Sequence, residues 1–311
     1  MKKINRILSL LLAAVLVLGM IPAPVSAAGQ EKTEVPMEVR INPHYADLFD
    51  LEEIQAQTRI PEPGAIRPFG TVHQDVEAAA AAFRQDMVNR QNWISVSFVE
   101  ASGEAQSVIN MLYDLVFAHT GNPKEGDSLM WQWGYWKPES VSRSRVDGGY
   151  RYDCTFYLEY YTNAEQEQAL DKAVEELLNS LNLDGRSDYE KIFLVYDYMT
   201  ANIRYDYEHL GTSDYFLMYT PYAALINKTS VCQGYALLFY RLMLELGIDC
   251  RLISGWGGGP HGWNIVELDG LYYNVDATWD EGLLHHLVNE RKVCNYAFRG
   301  GKTVFVVLRE N

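Results

Sequence analysis

Asp269-Gly270 is a two-residue hairpin turn set between two alternating runs, and it fixes more of this chain's geometry than any other feature. With that loop, Leu268 faces Leu271, Trp263 faces Asp276 and His261 faces Thr278. His261, Trp263, Asp276 and Thr278 then share one face of the hairpin. Val266, Leu268, Leu271, Tyr273 and Val275 form an apolar opposite face. Asp276 becomes a diagonal neighbour of His261, close enough for a carboxylate to hold an imidazole in one orientation. A one-residue slip would send Asp276 to the core face, so the arrangement depends on this register.

Upstream, Ser230-Val231-Cys232-Gln233-Gly234-Tyr235-Ala236 leads into an apolar run, Leu237 to Leu246, closed by Gly247. Cys232 therefore stands at the N-terminus of a buried helix, where unpaired N–H groups and the helix dipole favour a thiolate. The strand Asp249 to Ser254 and the glycine-rich turn Gly255 to Pro260 connect that helix to His261. Helix, strand and hairpin predict a helix packed on an antiparallel sheet. Cysteine, histidine and aspartate together suit nucleophilic acyl transfer: Cys232 attacks a carbonyl, His261 moves the proton and Asp276 orients His261. The backbone N–H of Cys232 is a candidate oxyanion donor.

The remainder of the 311 residues reads as an address, a linker and two folded units. Lys2, Lys3 and Arg6 precede the apolar run Ile7 to Met20, then Pro22, Pro24 and Val25-Ser26-Ala27, the pattern of a cleaved signal peptide over residues 1–27. The run is too short to span a bilayer. Removing those three cations from a net charge of −15 leaves −18. The expectation is a secreted or cell-surface protein with no membrane span after cleavage. The acidic balance excludes a general nucleic-acid binder. Residues 28–75 are proline-rich and aperiodic and read as a linker with a short helix near Ala46–Ile54.

Residues 76–162 read as a small α+β module: helices Val76 to Arg90 and Glu104 to Ala118, strands Trp93 to Val99, Leu129 to Trp136 and Tyr150 to Tyr161. The strand carrying Trp131, Trp133, Tyr135 and Trp136 suits either a sugar-binding platform or a packed core, and packing is the preferred reading. Thr162 to Glu165 and Ser187 to Glu190 have capping-box spacing, each opening an amphipathic helix. Cys154, Cys250 and Cys294 form an odd remainder beside Cys232 and read as reduced and buried. There is no C-x-x-C pair, no H-E-x-x-H and no calcium loop, so neither a metal nor another cofactor is expected.

Val231 to Ala236, His261-Gly262-Trp263-Asn264 and Tyr273 to Asp280 together resemble the transglutaminase-like superfamily of cysteine enzymes. Tyr205-Asp206-Tyr207, at the end of helix Tyr189–Tyr205, resembles the segment that precedes the core in bacterial members. The resemblance covers residues 163–282. It implies an α+β, papain-like core, a Cys232–His261–Asp276 triad, and acyl transfer from an amide of a protein or peptide, cell-wall peptide included. Gln233, Trp263 and Asn264 are supporting candidates within the motifs, and Tyr222 is the side-chain candidate for oxyanion support. Gly262 stands where many bacterial relatives have alanine, and the tail 283–311, with its excess of cations, does not resemble the family. Since the family contains inactive members, the alternative is a non-catalytic surface or cell-wall binding module on the same fold.

Overall fold

A computed structural model describes residues 33–35, 40–41, 69–101, 103–212, 215–257 and 259–279. The expected signal peptide, the short helix near Ala46–Ile54, Cys294 and the tail 283–311 lie outside these residues. The architecture is α+β, with two helix-on-sheet units joined through a third, smaller core.

The first unit is a six-stranded sheet. Strands β1 (Thr33–Glu34), β2 (Arg40–Ile41), β3 (Val72–His73), β4 (Trp93–Glu100), β5 (Trp133–Val146) and β6 (Gly149–Tyr160) are antiparallel, apart from the parallel pair β3–β4. Helices α1 (Val76–Val88) and α2 (Ala105–Val116) bury Ala79, Phe83, Met87, Ile109 and Leu112 against it. The expected linker is thus partly sheet: β1 pairs with Arg143 and Ser142, and β2 with Trp136 and Tyr135, along the outer side of β5. Two-residue strands have no period to read, which is why composition alone suggested a linker.

The aromatic segment is also corrected in outline. Asp127–Met130 forms a short helix, α3, and the strand begins only at Trp133. Trp131, Trp133, Tyr135 and Trp136 are all buried, and Trp136 stacks on Phe83 with centroids 5.0 Å apart. No platform is presented to solvent, and these rings are core.

The second unit runs from α4 (Ala164–Ser180) through α5 (Asp188–Asn202), β7 (Arg204–Tyr205), a 3-10 turn (Phe216–Tyr219), a π turn (Ala223–Asn227), β8 (Thr229–Ser230) and α6 (Cys232–Glu245). It ends in a three-stranded sheet of β9 (Cys250–Trp256), β10 (Pro260–Leu268) and β11 (Leu271–Val275). The Ser187–Glu190 capping box forms as the spacing predicts. The box before α4 sits one residue later than expected, on Asn163 and Gln166. The Thr162 hydroxyl is occupied elsewhere, by Arg90 and Glu167. The core gathers Leu170, Val174, Ile192, Val195, Met199, Leu238, Phe239, Leu242, Val266 and Val275.

Helix α6 is apolar nearly all round because it lies between the two units. One side packs on β9 and β10. On the other, Ala236 and Leu237 meet Trp131, with Leu252 beside them. Arg251 grips Asp127 with two hydrogen bonds, at 2.8 and 2.9 Å, and Asp127 also accepts from the Leu252 N–H. A buried carboxylate paired in this way fixes the junction between the units.

Candidate functional site

Position comes first from α6. Val231 is extended and Cys232 opens the helix, so the thiol sits where the helical N–H groups have no partner within the helix. Gly234 allows this end of the helix to approach its surroundings closely. A Cβ there would lie 1.9 Å from Ser230 Oγ and 2.7 Å from the Thr220 carbonyl oxygen. Gln233 completes the anchorage, with Nε2 donating to the carbonyls of Trp131 at 2.8 Å and Tyr219 at 3.1 Å. The supporting role expected of Gln233 is therefore mechanical: it ties the first turn of α6 to the N-terminal unit.

The hairpin has the expected register, from Leu268↔Leu271 to Asn264↔Val275. The ladder stops there, and Asp276 lies one residue beyond it. Its Oδ2 is 2.6 Å from His261 Nε2, and its Oδ1 accepts from the Thr278 N–H at 3.0 Å. With Nε2 on the carboxylate, Nδ1 is the ring nitrogen left for Cys232, with which His261 is also hydrogen-bonded. Burial alone would strip the imidazole of its proton. The Asp276 and Cys232 side chains outweigh burial and bring His261 from 6.5 up to about 10. An imidazolium held between a carboxylate and a sulfur can donate a proton to a leaving group.

The remaining candidates separate clearly. Trp263 lies beside His261, rings 6.0 Å apart and 23° from parallel, with Nε1 donating to Asn274 Oδ1 at 2.8 Å. Asn264 faces the opposite way. It is buried and donates to the carbonyls of Ala236 and Arg251, bracing β10 against α6 away from the chemistry. Tyr222 packs on the second core. Two phenols stand near Cys232: Tyr219, and Tyr205, whose hydroxyl meets both the thiol and the backbone N–H of Cys232. Burial, then the neighbouring Cys232, push the Tyr205 phenol well above its usual range. Parallel pairing of Tyr205 with Ser230 in β7–β8 delivers it. A two-residue pairing leaves no periodic signal; the only hint in the sequence was Tyr205-Asp206-Tyr207. Trp279, largely exposed, meets the outer side of His261 at 5.4 Å. Cys154 and Cys250 are buried and form no disulfide among the described residues.

Residues 175–277 match the family model described as the transglutaminase-like superfamily. The chain carries a transglutaminase-like domain. The matched residues run from within α4 to just past β11, so the domain includes the cleft and excludes the six-stranded sheet. The kyphoscoliosis peptidase of Mus musculus is 30% identical over 122 residues, covering 35% of this chain and 18% of that protein. The Homo sapiens kyphoscoliosis peptidase is 26% identical over 144 residues, covering 42% and 21%. The chain thus spans about a fifth of the length of these relatives. Among solved structures, a crystal structure of a TGase aligns with TM-score 0.36 at 15% identity, covering 70% of this chain and 60% of that one. The periplasmic domain of TgpA from Pseudomonas aeruginosa, bound to ethylmercury, aligns with TM-score 0.28 at 11% identity, covering 50% and 70%. The transglutaminase-like domain belongs with papain-like cysteine acyltransferases and peptidases.

Proposed function

We propose that the protein is an exported, cysteine-dependent acyl-transfer enzyme acting on amide bonds of protein or peptide substrates. The observation that carries this reading is His261, hydrogen-bonded to Asp276 on one nitrogen and to Cys232 on the other side. Family membership of the domain adds to it, and the signal-like segment Lys2 to Ala27 supports export.

The chemistry follows from the positions. The Cys232 sulfur, as thiolate, attacks the amide carbonyl carbon, and the carbonyl π electrons move to oxygen. The Cys232 N–H and the Tyr205 hydroxyl, which contact each other in the free site, would turn to donate to that oxygen. The His261 imidazolium gives its proton to the departing nitrogen, the C–N bond breaks, and an acyl thioester remains on Cys232. His261, now neutral, takes a proton from an incoming water or amine, which attacks the thioester. Collapse releases the acid or the new amide and restores the thiolate–imidazolium pair. Asp276 holds the ring through its bond to His261 Nε2.

The test is turnover by the mature chain from residue 28, offered glutamine-containing peptides with and without a primary amine. Ammonia release and amine incorporation are followed beside Cys232→Ala. Turnover in the parent and none in Cys232→Ala is expected. Ligand binding without turnover in either would favour the non-catalytic cell-wall module.

A further inference from the structure

Gly255, in β9, and Gly257, in the turn just past its end, stand against the two rings of the site. A Cβ on Gly255 would lie 2.5 Å from Cη2 and 2.8 Å from Cζ3 of Trp263. A Cβ on Gly257 would lie 3.1 Å from Cγ and Cδ2 of His261. With no Cβ at either position, the end of β9 and the turn after it offer a bare trough against which indole and imidazole lie in file. The indole is fixed at its far end by the bond from Nε1 to Asn274 Oδ1, across the hairpin.

We infer that Trp263 is the positioning residue for His261: seated in the Gly255–Gly257 trough and tethered to Asn274, it holds the imidazole in the rotamer that reaches Asp276 and Cys232 together. The inference rests on the acyl-transfer reading of the site. The physical reason is rotational. A histidine has two free torsions, and a ring that must meet partners on both nitrogens tolerates little swing in either. Trp263 and the backbone of Gly257 lie against the ring, and Trp279, which also meets it, is largely exposed. The near-parallel indole face also suits a cationic ring more than a neutral one. Among the described residues, the ionisable groups facing His261 are Asp276 and Cys232, and Cys232 in turn meets Tyr205.

The experiment follows iodoacetamide alkylation of Cys232 between pH 6 and 9, with a ring-carbon NMR titration of His261 carried to about pH 11, in the full mature chain. Trp263→Ala should slow alkylation at pH 7 by about tenfold or more and lower the midpoint of the His261 titration. Trp263→Phe, which keeps an aromatic face in the trough but loses the tether to Asn274, should react faster than Trp263→Ala and more slowly than the parent. Gly255→Val, which fills the trough from beneath and leaves the indole in the chain, should resemble Trp263→Ala. If Trp263→Ala does not fold, Trp263→Leu is read in its place. A parent-like profile in the variant lacking the aromatic ring, with His261→Ala strongly depressed, overturns this inference and leaves the triad standing. A parent-like profile in His261→Ala overturns the acyl-transfer reading itself.

Discussion

The Tyr205 phenol lies against both the thiol and the backbone N–H of Cys232, although the two residues belong to different strand–helix junctions. In the proposed reaction the hydroxyl would donate to the carbonyl oxygen attacked by the sulfur. Tyr205→Phe removes the donor and keeps the ring. It should lower the acyl-transfer kcat by about 10²- to 10³-fold, with KM and melting temperature little changed. Steady-state kinetics with a peptide amide check this.

Gly234 predicts a stability effect beside the same thiol. Any side chain there meets Ser230 Oγ and the Thr220 and Met218 carbonyl oxygens, and two of these are backbone atoms that cannot rotate away. Ser230 Oγ is itself donating to the Met218 carbonyl at 2.6 Å. Gly234→Ala should destabilise the fold by about 1–3 kcal/mol, the usual cost of overpacking. Urea unfolding measures it. Because α6 would have to shift to relieve the clash, alkylation of Cys232 should change as well.

The raised His261 predicts the pH dependence of stability. Its folded value, about 10, exceeds the ordinary 6.5 of an unfolded chain. Folding therefore binds the proton more tightly, and the stabilisation is full below pH 6.5 and fades as pH rises through about 10. Urea midpoints at pH 6, 8 and 10 should fall with pH in the parent. His261→Ala should flatten that trend across this window.

The hairpin was legible because a two-residue Asp-Gly turn fixes register, and side chains alternate at period two. That arithmetic placed Asp276 beside His261 before any coordinates. The final step, Asp276 leaving the ladder to cap on the Thr278 N–H, lies outside strand periodicity. Cys232 at a helix start was legible from the apolar run that follows it, and the Ser187 cap from its spacing. Tyr205 was passed over in favour of Tyr222 because a two-residue parallel pairing, β7 with β8, sets which phenol reaches the sulfur. Asn264 sits in a motif beside Trp263, yet strand alternation turns it toward α6. The added strands β1 and β2 were hidden in proline-rich sequence for the same reason as β7: too few residues to show a period.

The measurement that tests the central claim most directly is the rate of Cys232 alkylation at pH 7 in the parent, His261→Ala and Asp276→Asn. If sulfur, imidazole and carboxylate act as one site, the parent reacts fastest, His261→Ala loses about tenfold or more, and Asp276→Asn falls between them while keeping the parent's melting temperature. Equal rates in all three would contradict the account.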